Sequence, residues 1–227
     1  MNEVVPALCA GVVSTIVCNP LDIMRLRAQL KNNKIITSPF LGLRMGLVTI
    51  PTFWGIYFPL YSKLNEKIST PIAAYAACCS ASIITAPLWL LRQKSQVSEP
   101  HCFKTTPISN YYVGIIPTLF INLNFMIQIP LYEYIKNKFD TSAQNVFFAS
   151  AISKVASSTI TYPLDTIRAM KRQKPNENYL SLLKSRGITD FYRGLPIYLL
   201  RGVPYHISVF CTYEYVKSLL NEKDNVR

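Results

Sequence analysis

A carboxylate and a guanidinium three residues apart follow a proline twice in this chain. They are Asp22 and Arg25 after Pro20 in "NPLDIMRLR", and Asp165 and Arg168 after Pro163 in "YPLDTIRAM". A third stretch, "APLWLLRQK", keeps the proline at Pro87 and the base at Arg92 but carries Trp89 where the others have the acid. The chemistry available to these groups is ion pairing, because the planar guanidinium can grip a carboxylate through two parallel hydrogen bonds. Nothing beside them suits bond breaking. His101 lies in a loop and His206 has no partner at catalytic spacing, so an enzyme is not expected. The six cysteines (Cys9, Cys18, Cys78, Cys79, Cys102 and Cys211) contain no C-x-x-C and are read as small packing residues, with no metal and no cofactor.

The elements that must position these groups are apolar and long. Half of the 227 residues are hydrophobic and only 16% are charged, and the mean hydropathy is +0.19. Six apolar runs are expected to be helices: Val4–Leu30, Phe40–Leu64, Pro71–Gln96, Ile108–Lys138, Ala143–Met170 and Phe191–Leu220. Each exceeds the roughly 20 residues needed to cross a bilayer core of about 30 Å. Of the 15 prolines, many lie inside these runs. Membrane helices tolerate that placement, because neighbouring helices re-satisfy the freed carbonyls. The fold expected is therefore an all-α membrane protein with six transmembrane helices.

The even runs also end alike, in "PLYSKLN", "PLYEYIKNK" and "CTYEYVKS", so the chain divides into three helix pairs, 1–67, 68–138 and 139–227. Ten and six positions before each proline stand Ala10 and Ser14, Ala77 and Ala81, and Ser153 and Ser157. Small residues four apart let membrane helices approach closely.

Charge is distributed unevenly. The segments Arg25–Arg44, Arg92–Tyr112 and Arg168–Arg193 carry +5, +2 and +5, which accounts for the whole net charge of +12. Each follows one proline motif, so two membrane passes between successive segments place all three on one face, as in the positive-inside pattern. A nucleic-acid surface would need aromatics interleaved with the bases on soluble elements, and these loops hold few. No Arg-rich presequence or secretory segment precedes the first run, and import is expected to depend on internal signals.

Pro-x-Asp-x-x-Arg at the ends of odd helices, with aromatic-Glu-x-x-Lys at the ends of even ones (Tyr132, Glu133 and Lys136; Tyr213, Glu214 and Lys217), resembles the mitochondrial carrier family. Tyr192-Arg193-Gly194 resembles that family's aromatic-basic-glycine signature, and the likeness covers essentially the whole chain. The resemblance implies a six-helix barrel with pseudo-threefold symmetry in the mitochondrial inner membrane, or in that of a mitochondrion-related organelle. It implies transport of a small-molecule solute by alternating access, as a monomer among membrane lipid and without nucleic acid. A matrix gate would comprise Asp22, Arg25, Trp89, Arg92, Asp165 and Arg168. In the family's cyclic order Asp22 faces Arg92, and Asp165 faces Arg25. Arg168 would face Trp89, through either a cation–π contact or none at all if the indole faces lipid. The cytoplasmic gate would use Glu133, Lys136, Glu214 and Lys217, with Glu133 to Lys217 as its one expected bridge because Ser62 and Asn65 lack the charges of the motif. Such bridges, if exposed, are worth under about 1 kcal/mol each, so the gate would open thermally.

The same resemblance places substrate contacts at Thr15, Thr49, Ile121, Asn122, Lys154 and Arg201. Lys154 is the one charge at membrane depth in the odd helices, and charges there usually serve function. "RQKSQVS", "IQIPLYEYIK" and the short first loop are most similar to the S-adenosylmethionine carriers, with exchange as the expected mode. Electrostatics point the other way. Lys154 and Arg201 without a carboxylate at that depth fit an anion such as a nucleotide or carboxylate. A third reading is a carrier fold serving as a non-transporting scaffold, motivated by the acids missing at Trp89 and Ser62.

Overall fold

The computed structural model describes residues 4–31, 38–97, 108–138 and 143–225, and among them all regular structure is helical. Helix α1 spans Val4–Leu30, α2 Leu43–Asn65 and α3 Thr70–Val97. A short α4 (Ile108–Tyr111) leads into α5 (Ile115–Asn122) and α6 (Asn124–Lys138). Helix α7 covers Ala143–Gln173, followed by α8 (Tyr179–Lys184) and a 3₁₀ turn at Ile188–Tyr192. The last pass is α9 (Leu195–Leu200) and α10 (Gly202–Asn225).

Three stretches, Cys9–Leu30, Thr70–Val97 and Ile115–Lys136, are both long and apolar enough to cross a membrane on length and composition. Helices α2, α7 and α10 also have the length, at 23, 31 and 24 residues, and α7 and α10 are the more polar. In α7 the helix itself satisfies much of that polarity: Ser153 Oγ donates to the Ala149 carbonyl at 2.7 Å, and Thr161 Oγ1 to that of Ser157 at 2.9 Å. Hydroxyls bonded one turn back need no partner on another element. The fourth and sixth passes are not the continuous helices expected. They break at Leu123 and Arg201, between Asn122 and Asn124 and just ahead of Pro204, where a proline cannot donate to the carbonyl one turn earlier.

The passes form a closed ring. Helix α2 packs on α1 and α3, α5 and α6 lie between α3 and α7, and α9 links α7 to α1, with α10 lying along α1. All six small residues of the repeated register are closed to solvent, at 2% exposure or less. Ala77 and Ala81 show why: they form the floor under Phe53, Trp54, Tyr57 and Tyr61 of α2. These rings stack along the seam, with Phe53 and Tyr57 6.2 Å apart and Tyr57 and Tyr61 5.7 Å apart.

Helices α1, α3 and α7 also touch one another directly. Their basic ends converge over an apolar plug of Leu26, Leu30, Val97, Ile167, Met170, Leu182 and Phe191, to which α8 and the 3₁₀ turn contribute. Glycines start each even pass in the left-handed region: Gly42 (φ 71°), Gly114 (φ 83°) and Gly194 (φ 87°). A Cβ at Gly42 would lie 3.1 Å from the Arg92 carbonyl oxygen, at Gly114 3.4 Å from that of Arg168, and at Gly194 3.0 Å from that of Arg25. Each pair's second helix thus begins against the motif arginine of the next pair, in cyclic order. Only glycine combines positive φ with this approach at low cost.

Candidate functional site

Where the odd helices converge, the proline-motif charges meet. Arg92 Nη2 of α3 pairs with Asp22 Oδ2 of α1 at 3.0 Å, and Arg25 of α1 pairs with Asp165 of α7. Gln29, one turn beyond Arg25, donates to the same Asp165 oxygen at 2.6 Å. These are not the exposed bridges expected from the sequence. The side chains of Arg92 and Asp165 are 7% and 8% exposed, where the three odd helices converge. Such a pair gives up hydration to form and recovers it on opening, so its net contribution is small. Removing one partner is a different matter, leaving a charge buried alone at a cost of about 3–5 kcal/mol. Arg25 is further held over the ring of Tyr198, 4.3 Å from its centroid.

Trp89 does not receive Arg168. Its ring lies under Arg92 of its own helix, 5.4 Å from the guanidinium carbon, and meets Phe53 edge-on at 6.2 Å. Arg168 turns instead to Asp165 one turn back on α7. A carboxylate one turn away attracts a guanidinium more strongly than an indole face on another helix.

Arg201, expected among the substrate contacts and without a gate partner, has an acid beside it: its Nε lies 2.9 Å from Asp22 Oδ1. The break between α9 and α10 sits at this residue, and α10 lies along α1, which brings Arg201 to the carboxylate oxygen that Arg92 leaves open. Lys154 is exposed, with Nζ 3.4 Å from Gln128 Oε1. Ile121 is half-buried, whereas Thr15, Thr49 and Asn122 are closed to solvent at 6%, 0% and 7%. Thr49 Oγ1 bonds the Met45 carbonyl at 2.6 Å, and Asn122 Nδ2 donates to Ser82 at 3.1 Å across the α3–α5 seam. Thr49 also lies 3.4 Å from the Leu88 carbonyl of α3, so Thr49 and Asn122 both reach α3, whereas Thr15 bonds the Gly11 carbonyl of its own helix at 2.7 Å. At the far end Glu133 is exposed and Lys136 lies 5.9 Å from the centre of the Tyr132 ring. The side chains of Glu214 and Lys217, and with them the expected Glu133–Lys217 bridge, lie outside the described residues.

Several contributors escaped the sequence reading. Gln29 stands nine residues after Pro20 and Gln96 nine after Pro87, a repeat that could have been read; the third position is Arg172. Asn19 donates to the carbonyls of Pro39 (2.9 Å) and Leu41 (3.2 Å), and Tyr162 to that of Arg193 (3.2 Å). Each stands just before a motif proline and tethers the chain leading into the following even pass. Chemically unlike side chains doing one job leave no pattern to read.

The described helices form a ring, with charge pairs joining the odd three at one end, an arrangement that suits a multi-pass membrane carrier. The sequence pattern of the family described as "Mitochondrial carrier protein" matches residues 139–224. The chain is 27% identical to "Mitochondrial substrate carrier family protein W" of Dictyostelium discoideum over 95% of this chain and 86% of that one. It is 28% identical to "Nicotinamide adenine dinucleotide transporter 2, mitochondrial" of Arabidopsis thaliana, over 92% and 76%. It is 24% identical to "Folate transporter 1, chloroplastic" of the same plant, over 94% and 93%. The chain is thus similar over nearly all its length to mitochondrial carriers, which are transporters and not enzymes, and its last third matches their family pattern.

Proposed function

We propose that this protein is a mitochondrial inner-membrane carrier for a nucleotide-like organic anion, moved by alternating access with Asp22, Arg25, Arg92 and Asp165 as its matrix gate. The observation that carries the reading is a charge imbalance. Where the odd helices converge stand the guanidinium groups of Arg25, Arg92, Arg168, Arg172 and Arg201, against the carboxylates of Asp22 and Asp165. A surplus of cations in a low-dielectric setting attracts an anion and repels a sulfonium. This weighs against S-adenosylmethionine, to which the local motifs are most similar. The relatives named for nicotinamide adenine dinucleotide and for folate point the same way, since both solutes are anionic.

The repeats 1–67, 68–138 and 139–227 then act as three equivalent rockers. The formation of both bridges supports reading this conformation as the one closed toward the matrix. Arg201 bridges the two tasks. It holds Asp22 in this conformation, and an anionic solute would compete for it and loosen the gate.

Counter-exchange in liposomes reconstituted with the purified chain tests this, with nicotinamide adenine dinucleotide, ADP, folate and S-adenosylmethionine offered in turn. Uptake of one or more anions with no uptake of S-adenosylmethionine is expected. Uptake of S-adenosylmethionine alone would overturn the anion assignment, and no uptake of any solute would favour the scaffold reading.

A further inference from the structure

The three helix pairs do not repeat the network evenly. Asp22 meets Arg92, with Gln96 one turn beyond; Asp165 meets Arg25, with Gln29 one turn beyond. The third combination sets Trp89 of α3 against Arg168 of α7, with Arg172 one turn beyond. An acid has been lost and a glutamine has become an arginine in the same third of the ring, so this third is more positive than either other by two charges. The two helices adjoin there: Gln93, one turn after Trp89, donates to the carbonyl of Ala169, next to Arg168, at 2.7 Å.

Arg172 is 6% exposed, and its buried Nε has no hydrogen-bond partner. Its stem runs beside Gly114, whose Cβ would lie 3.3 Å from Arg172 Cγ and 3.5 Å from Arg168 Cγ. The two stems therefore run side by side against the backbone at Gly114. Asp165 cannot serve both, since it already accepts from Arg25 and Gln29 on one oxygen and from Arg168 on the other. Two guanidinium groups at i and i+4, one of them buried, are destabilising without a counter-charge.

We propose that Arg168 and Arg172, opposite Trp89, form an oxyanion site in which a phosphate-class ligand takes the place of the acid missing from α3 and completes the matrix-side network. The guanidinium fork matches phosphate oxygens in pairs. The proposal deepens the anion-carrier reading and rests on the same surplus of cations, but it concerns binding and not passage. The phosphate could belong to the solute or be a free ion.

The test is the melting of the purified full-length chain in detergent, with pyrophosphate, orthophosphate, ADP or chloride added at equal ionic strength. Pyrophosphate well above its dissociation constant should raise the melting temperature by about 5 °C or more, and chloride should not. Arg172→Gln, which restores the glutamine of the other two thirds, should weaken pyrophosphate at least about tenfold, the loss of one charge-assisted contact. Trp89→Asp should melt higher without any anion and lose the upshift, because the acid is then built in. If Trp89→Asp does not fold, Arg172→Gln decides alone. ADP acting like pyrophosphate would assign the site to a solute phosphate, and orthophosphate acting without ADP would assign it to a free ion. An equal upshift in wild type and Arg172→Gln, or none in wild type with any phosphate, overturns the proposal. Melting needs no transport, so failure of counter-exchange leaves this result standing, and anion uptake without an Arg172-dependent upshift would sink the site alone.

Discussion

Arg92 and Asp22 pair at 3.0 Å across seventy residues of sequence, and the same aspartate holds Arg201 at 2.9 Å through its other oxygen. One carboxylate thus ties α1 to α3 and to the break between α9 and α10. Asp22→Arg places three guanidinium groups together and should abolish exchange in liposomes. Adding Arg92→Asp restores the bridge in the opposite sense, and part of the rate should return. Recovery should stay incomplete, because Arg201 then faces another arginine. A double variant no faster than expected from the two single defects would mean that the pair is not coupled.

Removing the partner of a buried charge and weakening a ring contact should differ sharply at Trp89. Trp89→Leu should lower stability by about 0.5–1 kcal/mol through Arg92. The coupling should appear in a double-mutant cycle with Arg92→Met and be near zero with Arg168→Met. The measurement is thermal melting in detergent, and coupling to Arg168 instead would contradict the placement of the indole.

Gly194→Ala should be the most damaging of the glycine substitutions. The new methyl carbon would lie 2.8 Å from the Tyr162 hydroxyl and 3.0 Å from the Arg25 carbonyl oxygen, at a φ of 87°. A loss of about 1–3 kcal/mol is expected from the backbone alone. Gly55→Ala, in a helix with nothing within 4 Å of the new carbon, should be neutral or slightly stabilising. Equal melting temperatures for the two variants would refute the tight approach at the start of α9.

Asp190 provides a pH signature outside the membrane. Lys31 donates to its Oδ2 at 2.7 Å and Arg193 lies 2.9 Å from its Oδ1, which holds the carboxyl below the usual carboxylate range. A carboxyl depressed in the folded state contributes its full share above its unfolded value, about 3.9, and loses it as pH falls through the lower folded one. Asp190→Asn should therefore lower the melting temperature slightly and evenly between pH 5 and 8. The difference from wild type should shrink only below about pH 4. A difference that varies across the neutral range would rule out this pairing as its source.

What the sequence by itself determined is what repeats. Prolines, acids and bases at fixed spacing, six apolar runs and one register of small residues make the three-pair ring legible. Asp22 opposite Arg92 and Asp165 opposite Arg25 are implied by the resemblance, through the family's cyclic order, and both pairs are formed. Spacing along a helix constrains which face a residue occupies, and faces that must pack together in a ring leave few arrangements. What only the tertiary structure decided is which partner wins where several compete. Arg168 takes the acid on its own helix over the indole across the ring, Arg201 takes Asp22, and Thr49 and Asn122 turn into helix seams. The breaks at Leu123 and Arg201, which bring Arg201 to the acid, interrupt runs that read as continuous. Each outcome depends on distances of a few ångströms between helices remote in sequence. Ion-pair and ring contacts change over that range by as much as the competing contacts differ.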